Sequence, residues 1–294
     1  MSVSGKALSD RVALVTGANT GIGLVTAREL SRQGAQVFIA CRSASRAGQA
    51  LQSIREAVSG AQVEALELDL GDFDSVHRCA DAFLSRKLPL HFLVNNAGVA
   101  GARGATPSGF ELAFGINHMG HFLLTQRLLD VLQRSAPARI VTVASRAHYR
   151  ARGIDWEAVR RPTASTTGLP EYGVSKLANV LFTAELARRL AGSGVNTYAL
   201  HPGVVASDIW RSVPWPLRGL LKLAMISTEE GARTSLYCAT SPEAAGDSGK
   251  YYDRCKPKAP SAAAQDAQLA AELWSRSEAW VNQATSAGRA ALRA

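Results

Sequence analysis

Short apolar runs recur along the chain, each followed by a longer stretch of helical character: VALVT at 12–16, QVFIA at 36–40, VEALEL at 63–68, HFLVN at 91–95, RIVTVAS at 139–145 and VNTYAL at 195–200. Runs rich in Val, Ile and Leu without polar alternation belong to strands buried on both faces, as in a parallel sheet sandwiched between helices. The stretches between them repeat apolar residues at helical spacing, as in Ile22, Val25, Thr26 and Leu30, and later in Leu177, Val180, Leu181 and Leu186. Gly34, Gly60 and Gly194 stand where those helices should stop. Strand, helix, strand in this order is the βαβ unit, and right-handed crossovers wind successive units into a doubly wound sheet.

The expected fold is therefore α/β, a Rossmann-type doubly wound parallel sheet in a single domain over 1–294. Its core spans about 11–255, and a helical tail covers about 260–284. With 294 residues, 47% hydrophobic and 19% charged, the chain can build one large core, and disordered, collagen-like and disulfide-scaffold classes are excluded. The excess of 33 Lys and Arg over 24 Asp and Glu favours anionic partners. These include a phosphorylated cofactor, a nucleic acid and an anionic membrane surface, among which charge alone does not choose, but no basic run dominates, so no nucleic acid is expected. Cys41, Cys79, Cys238 and Cys255 show no CxxC pair or metal-ligand spacing, which reads as reduced thiols and no metal. No stretch reaches the roughly 18 to 20 apolar residues of a transmembrane segment.

Long segments after two strands break the pattern, at 146–171 and 204–227, and loops at strand carboxyl ends carry function in such folds. The second holds Trp210, Trp215, Leu217, Leu220, Leu221 and Leu223 among Arg211, Arg218 and Lys222. It reads as an amphipathic lid over an apolar pocket, with weak membrane-surface contact and plain packing as alternatives.

Directly after the first run stands TGANTGIG, Thr16 to Gly23, and then a helix. Gly17 permits a tight turn, while Gly21 and Gly23 let backbone approach a pyrophosphate and a strand. The helix N-terminus then offers free N–H groups and a positive dipole end to phosphate. At the end of the second run an acidic residue would bind the ribose hydroxyls of NAD, but Cys41 and Arg42 stand there. A guanidinium suits a 2′-phosphate, so NADP(H) is the expected cofactor. Arg46 is a second contact or a solvated helix arginine. Asp69 and Leu70 are placed to border the adenine, although Asp69 could instead cap a helix.

Farther along come NNAG (Asn95 to Gly98), Asn117, Ser145, and Tyr172 with Lys176 four residues later on the same helix face. An ammonium beside a phenol favours the phenolate, and lowering the phenol from about 10 to about 7 takes roughly 4 kcal/mol. Taken in order with the glycine loop and HPG at 201–203, this set resembles the short-chain dehydrogenase/reductase family, and within it the retinol dehydrogenase group. The resemblance spans about 11–282 and is carried by VTGANTGIG, IACRS, FGINHMGHFLLT, YGVSKLANVLFTAELARRL, LHPGVV and SGKYYDRCKPKAPS.

The resemblance implies that Tyr172 exchanges the hydroxyl proton, Ser145 hydrogen-bonds the substrate oxygen, and Lys176 binds the nicotinamide ribose and lowers the Tyr172 pKa. It makes Asn117 the support of a water relay to Lys176. It carries cofactor contacts onto Gly17, Asn19, Thr20, Gly21, Ile22, Gly23, Arg42, Asp69, Leu70, Asn96, Ala97, Gly98, Tyr172, Lys176, Pro202, Gly203, Val205 and Ser207. Trp210 and Trp215 are expected at the substrate pocket, and His148 either touches the substrate or fills the loop, with RRPTASTTG at 160–168 as the pocket's mobile edge. His118 and His121 form an HxxH that the family places in a helix rather than on a metal. The implied activity is hydride transfer between NADP(H) and a small lipophilic aldehyde or ketone such as retinal, or its alcohol. A steroid or xenobiotic carbonyl is an alternative, as is a non-catalytic NADP-binding scaffold or sensor. In the family, helices corresponding to 107–134 and 170–192 often build a homodimer. Animal relatives commonly begin with a membrane anchor and this chain starts almost directly at its first strand, so a soluble cytoplasmic enzyme is expected.

Overall fold

The computed structural model describes residues 7–203 and 226–291, with side chains described through 283. Val205, Ser207, Trp210 and Trp215, and with them most of the expected lid, lie outside the described residues. The six expected runs are strands β1 (Val12–Thr16), β2 (Gln36–Cys41), β3 (Val63–Glu67), β4 (Phe92–Asn95), β5 (Ala138–Val143) and β6 (Val195–His201). Two short strands follow, β7 (Tyr251–Asp253) and β8 (Lys256–Pro257). The helices are α1 (Gly21–Arg32), α2 (Ala44–Ala57), α3 (Phe73–Leu84), α4 (Leu112–Phe114), α5 (Gly120–Arg134), α6 (Leu169–Arg189), α7 (Thr228–Thr240) and α8 (Ala267–Ala291), with a π-turn at Gly115–Met119 joining α4 to α5.

The strand order is β3-β2-β1-β4-β5-β6-β7-β8, parallel through β7, with β8 antiparallel at the edge. This is the Rossmann-type doubly wound sheet. Neighbouring residues on each strand feed opposite cores, which is why the runs lack polar alternation. Leu14, Phe38, Leu93 and Ile140 face the side of α3, α5, α6 and α8, whereas Val15, Ile39, Val94 and Val141 face the other side with Leu30 and Ile54. The order reverses between β1 and β4, and a crevice at such a switch, outside the strand carboxyl ends, is where ligands bind in these sheets.

The tail helix α8 lies across α5 and α6. The Trp274 ring stacks on Phe182 at 6.0 Å and stands edge-on to Phe122 at 5.2 Å, while the Trp280 ring is edge-on to Phe110 at 5.5 Å. The aromatic side chains of Phe122 and Phe182 are thus covered by the chain's own C-terminal segment. The 160–168 stretch, expected to be a mobile edge, is hydrogen-bonded to the residues around it. Thr163 donates to Glu111 Oε1 at 2.5 Å and its N–H to Gly104 O at 2.9 Å, and Ser165 donates to Glu171 Oε2 at 2.5 Å. Among the described residues no helix is long and apolar enough to cross a membrane.

Candidate active site

The strand carboxyl ends enclose a cavity of about 720 Å³. At its floor, Gly17 takes a φ of +65°, and a Cβ there would lie 2.8 Å from Ala97 Cα. A Cβ on Gly23 would lie 2.4 Å from Asn96 Nδ2 and 2.6 Å from Gly17 O, so the turn closes only with glycine. Thr16 locks this loop to the one after β4: its Oγ1 accepts from the N–H groups of Asn96 and Ala97, both at 3.0 Å, and Asn96 Nδ2 donates to Thr16 O at 2.8 Å. Thr20, the residue before α1, makes no side-chain cap, so the first-turn N–H groups of a helix whose Gly21, Ile22 and Gly23 line the cavity are left for a ligand.

Arg42, just past β2, lines the same cavity with Arg46. Its side chain is 69% exposed and its Nη1 lies 4.0 Å from Asp69 Oδ2. Asp69 folds its own turn by accepting from Gly71 N at 2.9 Å, whereas the α3 cap is Asp72. An uncapped helix N-terminus, a glycine floor and a solvent-facing guanidinium in one crevice suit a dinucleotide.

At the opposite end, Ser145 follows β5 and lines the cavity with Tyr172, which α6 presents at 9% exposure. One turn on, Lys176 is 2% exposed and its Nζ donates to Val143 O at 2.7 Å, 5.7 Å from the Tyr172 ring centre. Burial lowers the Lys176 amine to about 7. Burial also pushes the Tyr172 phenol up, opposed by the Ser145 hydroxyl. The chain's own groups therefore do not deliver the lowered phenol that the sequence suggests, because an amine near 7 carries only part of its charge at neutral pH.

Of the expected residues, Gly17, Asn19, Thr20, Gly21, Ile22, Gly23, Arg42, Asp69, Leu70, Asn96, Ala97, Gly98, Ser145, Tyr172, Lys176, Pro202 and Gly203 all line this cavity. Asn117 and His148 do not. Asn117 sits in the π-turn, where its Oδ1 accepts from Val99 N at 2.8 Å and its Nδ2 donates to Val99 O at 3.0 Å and Ser175 Oγ at 2.9 Å. It thereby fixes the floor behind Lys176. His148, expected to touch the substrate or to fill the loop, is buried under the Ser145 loop with both ring nitrogens engaged, Nδ1 by Ser145 O and Nε2 by Ser261 N.

The histidines of HxxH part company. His118 Nε2 meets Ser277 Oγ of α8 at 3.1 Å, while His121 turns toward β1. Since a carbonyl can only accept, His121 Nδ1–H donates to Asn117 O at 3.0 Å, leaving Nε2 to accept the Thr16 hydroxyl at 2.8 Å. Burial lowers His121 to about 4 and so keeps it neutral. The sequence reading missed Thr16 and His121 as supports of the cofactor floor. Their only sequence signal is His121 standing four residues after Asn117, on the same helix face.

Residues 11–158 match the short chain dehydrogenase family. Retinol dehydrogenase 12 from Mus musculus is 45% identical over 269 residues, 90% of this chain and 84% of that protein. The chain belongs to the short chain dehydrogenase family. Among solved structures, an uncharacterized protein from Mycobacterium paratuberculosis superposes with a TM-score of 0.76 at 34% identity, covering 95% of this chain and 96% of that one. An actinorhodin polyketide ketoreductase with NADPH does so with a TM-score of 0.67 at 26% identity, covering 83% and 95%. This short chain dehydrogenase therefore stands close to the retinol dehydrogenases.

Proposed function

We propose that this short chain dehydrogenase uses NADP(H) to interconvert a lipophilic aldehyde or ketone and its alcohol, with retinal and retinol as the leading pair. The observation that carries the reading is the meeting of Ser145, Tyr172 and Lys176 at one end of a cavity whose other end holds Arg42. The similarity to retinol dehydrogenase 12 and to a ketoreductase with NADPH supports both substrate class and cofactor.

The α1 N-terminus and the glycine floor hold the pyrophosphate, and Arg42 takes the 2′-phosphate. Lys176, with Nζ beside Gly98 and held by Val143 O, binds the nicotinamide ribose. Pro202 and Gly203 border the nicotinamide, which when bound supplies or accepts the hydride. Ser145 donates to the substrate oxygen and orients it, and the Tyr172 hydroxyl gives that oxygen its proton on reduction or takes it back on oxidation. Cys41, Cys79, Cys238 and Cys255 are all unpaired thiols, which supports a reducing, cytoplasmic setting.

The test is NADPH consumption with all-trans-retinal beside aliphatic, aromatic and steroidal carbonyls, repeated with NADH and with Tyr172→Phe. Retinal turnover that prefers NADPH and drops by at least about 100-fold in Tyr172→Phe, with NADPH still bound, is the expected result. Turnover of other carbonyls alone removes retinal. Equal use of NADH removes the Arg42 role, and undiminished Tyr172→Phe turnover removes the mechanism.

A further inference from the structure

We infer that Asp253, at the end of β7, is a positioning residue that sets the Ser145 hydroxyl against the nicotinamide loop. The inference rests on the catalytic reading of Ser145, Tyr172 and Lys176 given above. Asp253 is a carboxylate at 7% exposure, and a buried charge persists only where it is paired. Its Oδ2 accepts from Arg146 Nη2 at 2.8 Å, from Arg146 Nε at 3.1 Å and from Lys258 Nζ at 3.0 Å. Arg146 is the residue after Ser145, so this pairing clamps the chain one residue from the hydroxyl.

Asp253 also reaches the cofactor side. In the β6–β7 register it stands beside His201, which leads into Pro202 and Gly203 and lines the cavity. Two buried polar atoms, Asp253 Oδ1 and His201 Nδ1, have no hydrogen-bond partner among the described residues, and they belong to these neighbouring side chains. The carboxylate therefore lies between the loop that carries Ser145 and the loop that borders the nicotinamide.

The residues after Asp253 brace the same loop from below. The Ser261 N–H can only donate, so at 3.2 Å it requires a lone pair on His148 Nε2. His148 Nδ1 then carries the proton and donates to Ser145 O at 2.6 Å. Tyr149 OH donates to Ala259 O at 2.6 Å. Ser145 Oγ accepts from Ala147 N at 3.2 Å, which leaves its own proton to point at Tyr172 or a substrate oxygen. The turn that returns the chain toward Asp253 places Arg254 and Cys255 at φ values of 53° and 59°, left-handed conformations that non-glycine residues rarely hold. That turn delivers Lys258 to the carboxylate.

Reacting groups displaced by about 1 Å can lose on the order of 100-fold in rate while binding is kept. The experiment compares Asp253→Asn, Arg146→Gln, Arg146→Lys and the Asp253→Asn/Arg146→Gln double variant, using a carbonyl that the wild type reduces with NADPH. The readouts are kcat, KM, NADPH Kd by fluorescence and Tm, with Tyr172→Phe as reference. Each single loss of the clamp should lower kcat about 10- to 100-fold, with NADPH Kd and carbonyl KM within about twofold. The double variant should be no worse than either single one, and Arg146→Lys, which keeps one donor, should recover most of the rate.

Should Asp253→Asn fail to fold, Arg146→Gln carries the test alone, since that arginine is exposed. Unchanged kcat in Arg146→Gln, losses that multiply in the double variant, or a loss confined to KM would overturn the positioning role. Full activity of Tyr172→Phe would instead overturn the catalytic reading, and a dead Tyr172→Phe beside an unaffected Arg146→Gln would leave that reading standing and remove only Asp253.

Discussion

At Lys176 the fold takes an amine out of water and gives it one backbone carbonyl, Val143 O at 2.7 Å, and the amine falls to about 7. An unfolded lysine titrates near 10.5. Between pH 7 and 10.5 the unfolded chain therefore holds a proton that the native chain has lost. Stability contributed by this group rises with pH across that window and is lowest below about 7. Lys176→Met should remove the burden, gaining up to a few kcal/mol at pH 7 in urea unfolding, with the gain shrinking toward pH 10 as turnover is lost. A variant less stable than wild type at pH 7 would show that the hydrogen bond to Val143 outweighs desolvation. The identity of this residue was legible from YxxxK, yet its electrostatic state was not. The spacing puts Tyr172 and Lys176 on one helix face, whereas the burial that raises one and lowers the other comes from strands and loops far along the chain.

Among elements, the approach of α5 to the end of β3 is set by Gly120, where a Cβ would lie 2.2 Å from Leu70 O and 2.8 Å from Leu70 Cβ. A backbone oxygen cannot swing aside, so Gly120→Ala must push α5 away from the turn that carries Asp69 and Leu70 into the cavity. The expected cost is about 1 to 3 kcal/mol in denaturant unfolding together with a several-fold weaker NADPH Kd. Lost stability with unchanged NADPH binding would show that the turn does not follow the helix. The six long strands could be read from sequence because burial on both faces writes an uninterrupted apolar run. β7 and β8, three and two residues long, are too short to carry any period. The π-turn that aims Asn117 is likewise invisible to a 3.6-residue pattern. The roles of His121 and His148 depend on partners 105 and 113 residues away, Thr16 and Ser261.

Over the whole molecule, α8 decides which surfaces remain for a second copy. Its Trp274 is buried between Phe122 and Phe182, with the Arg189 guanidinium 4.3 Å from the ring centre, and its Ser277 reaches His118 at 3.1 Å. A partner docking on the aromatic face of α5 and α6 around Phe122 and Phe182 would first have to displace this helix and expose those rings. A stable association buries roughly 1,200–2,000 Å² in total, and here the aromatic part of that face is already spent within the chain. Sedimentation of the full chain should therefore give the mass of one copy from low to high micromolar concentration. Amides of 270–283 should stay protected from hydrogen exchange across that range. A dimer that keeps α8 protected would have to use another surface. A dimer in which 270–283 loses protection as concentration rises would show that the tail helix competes with a second copy for α5 and α6, and that its packing is weaker than the aromatic contacts imply.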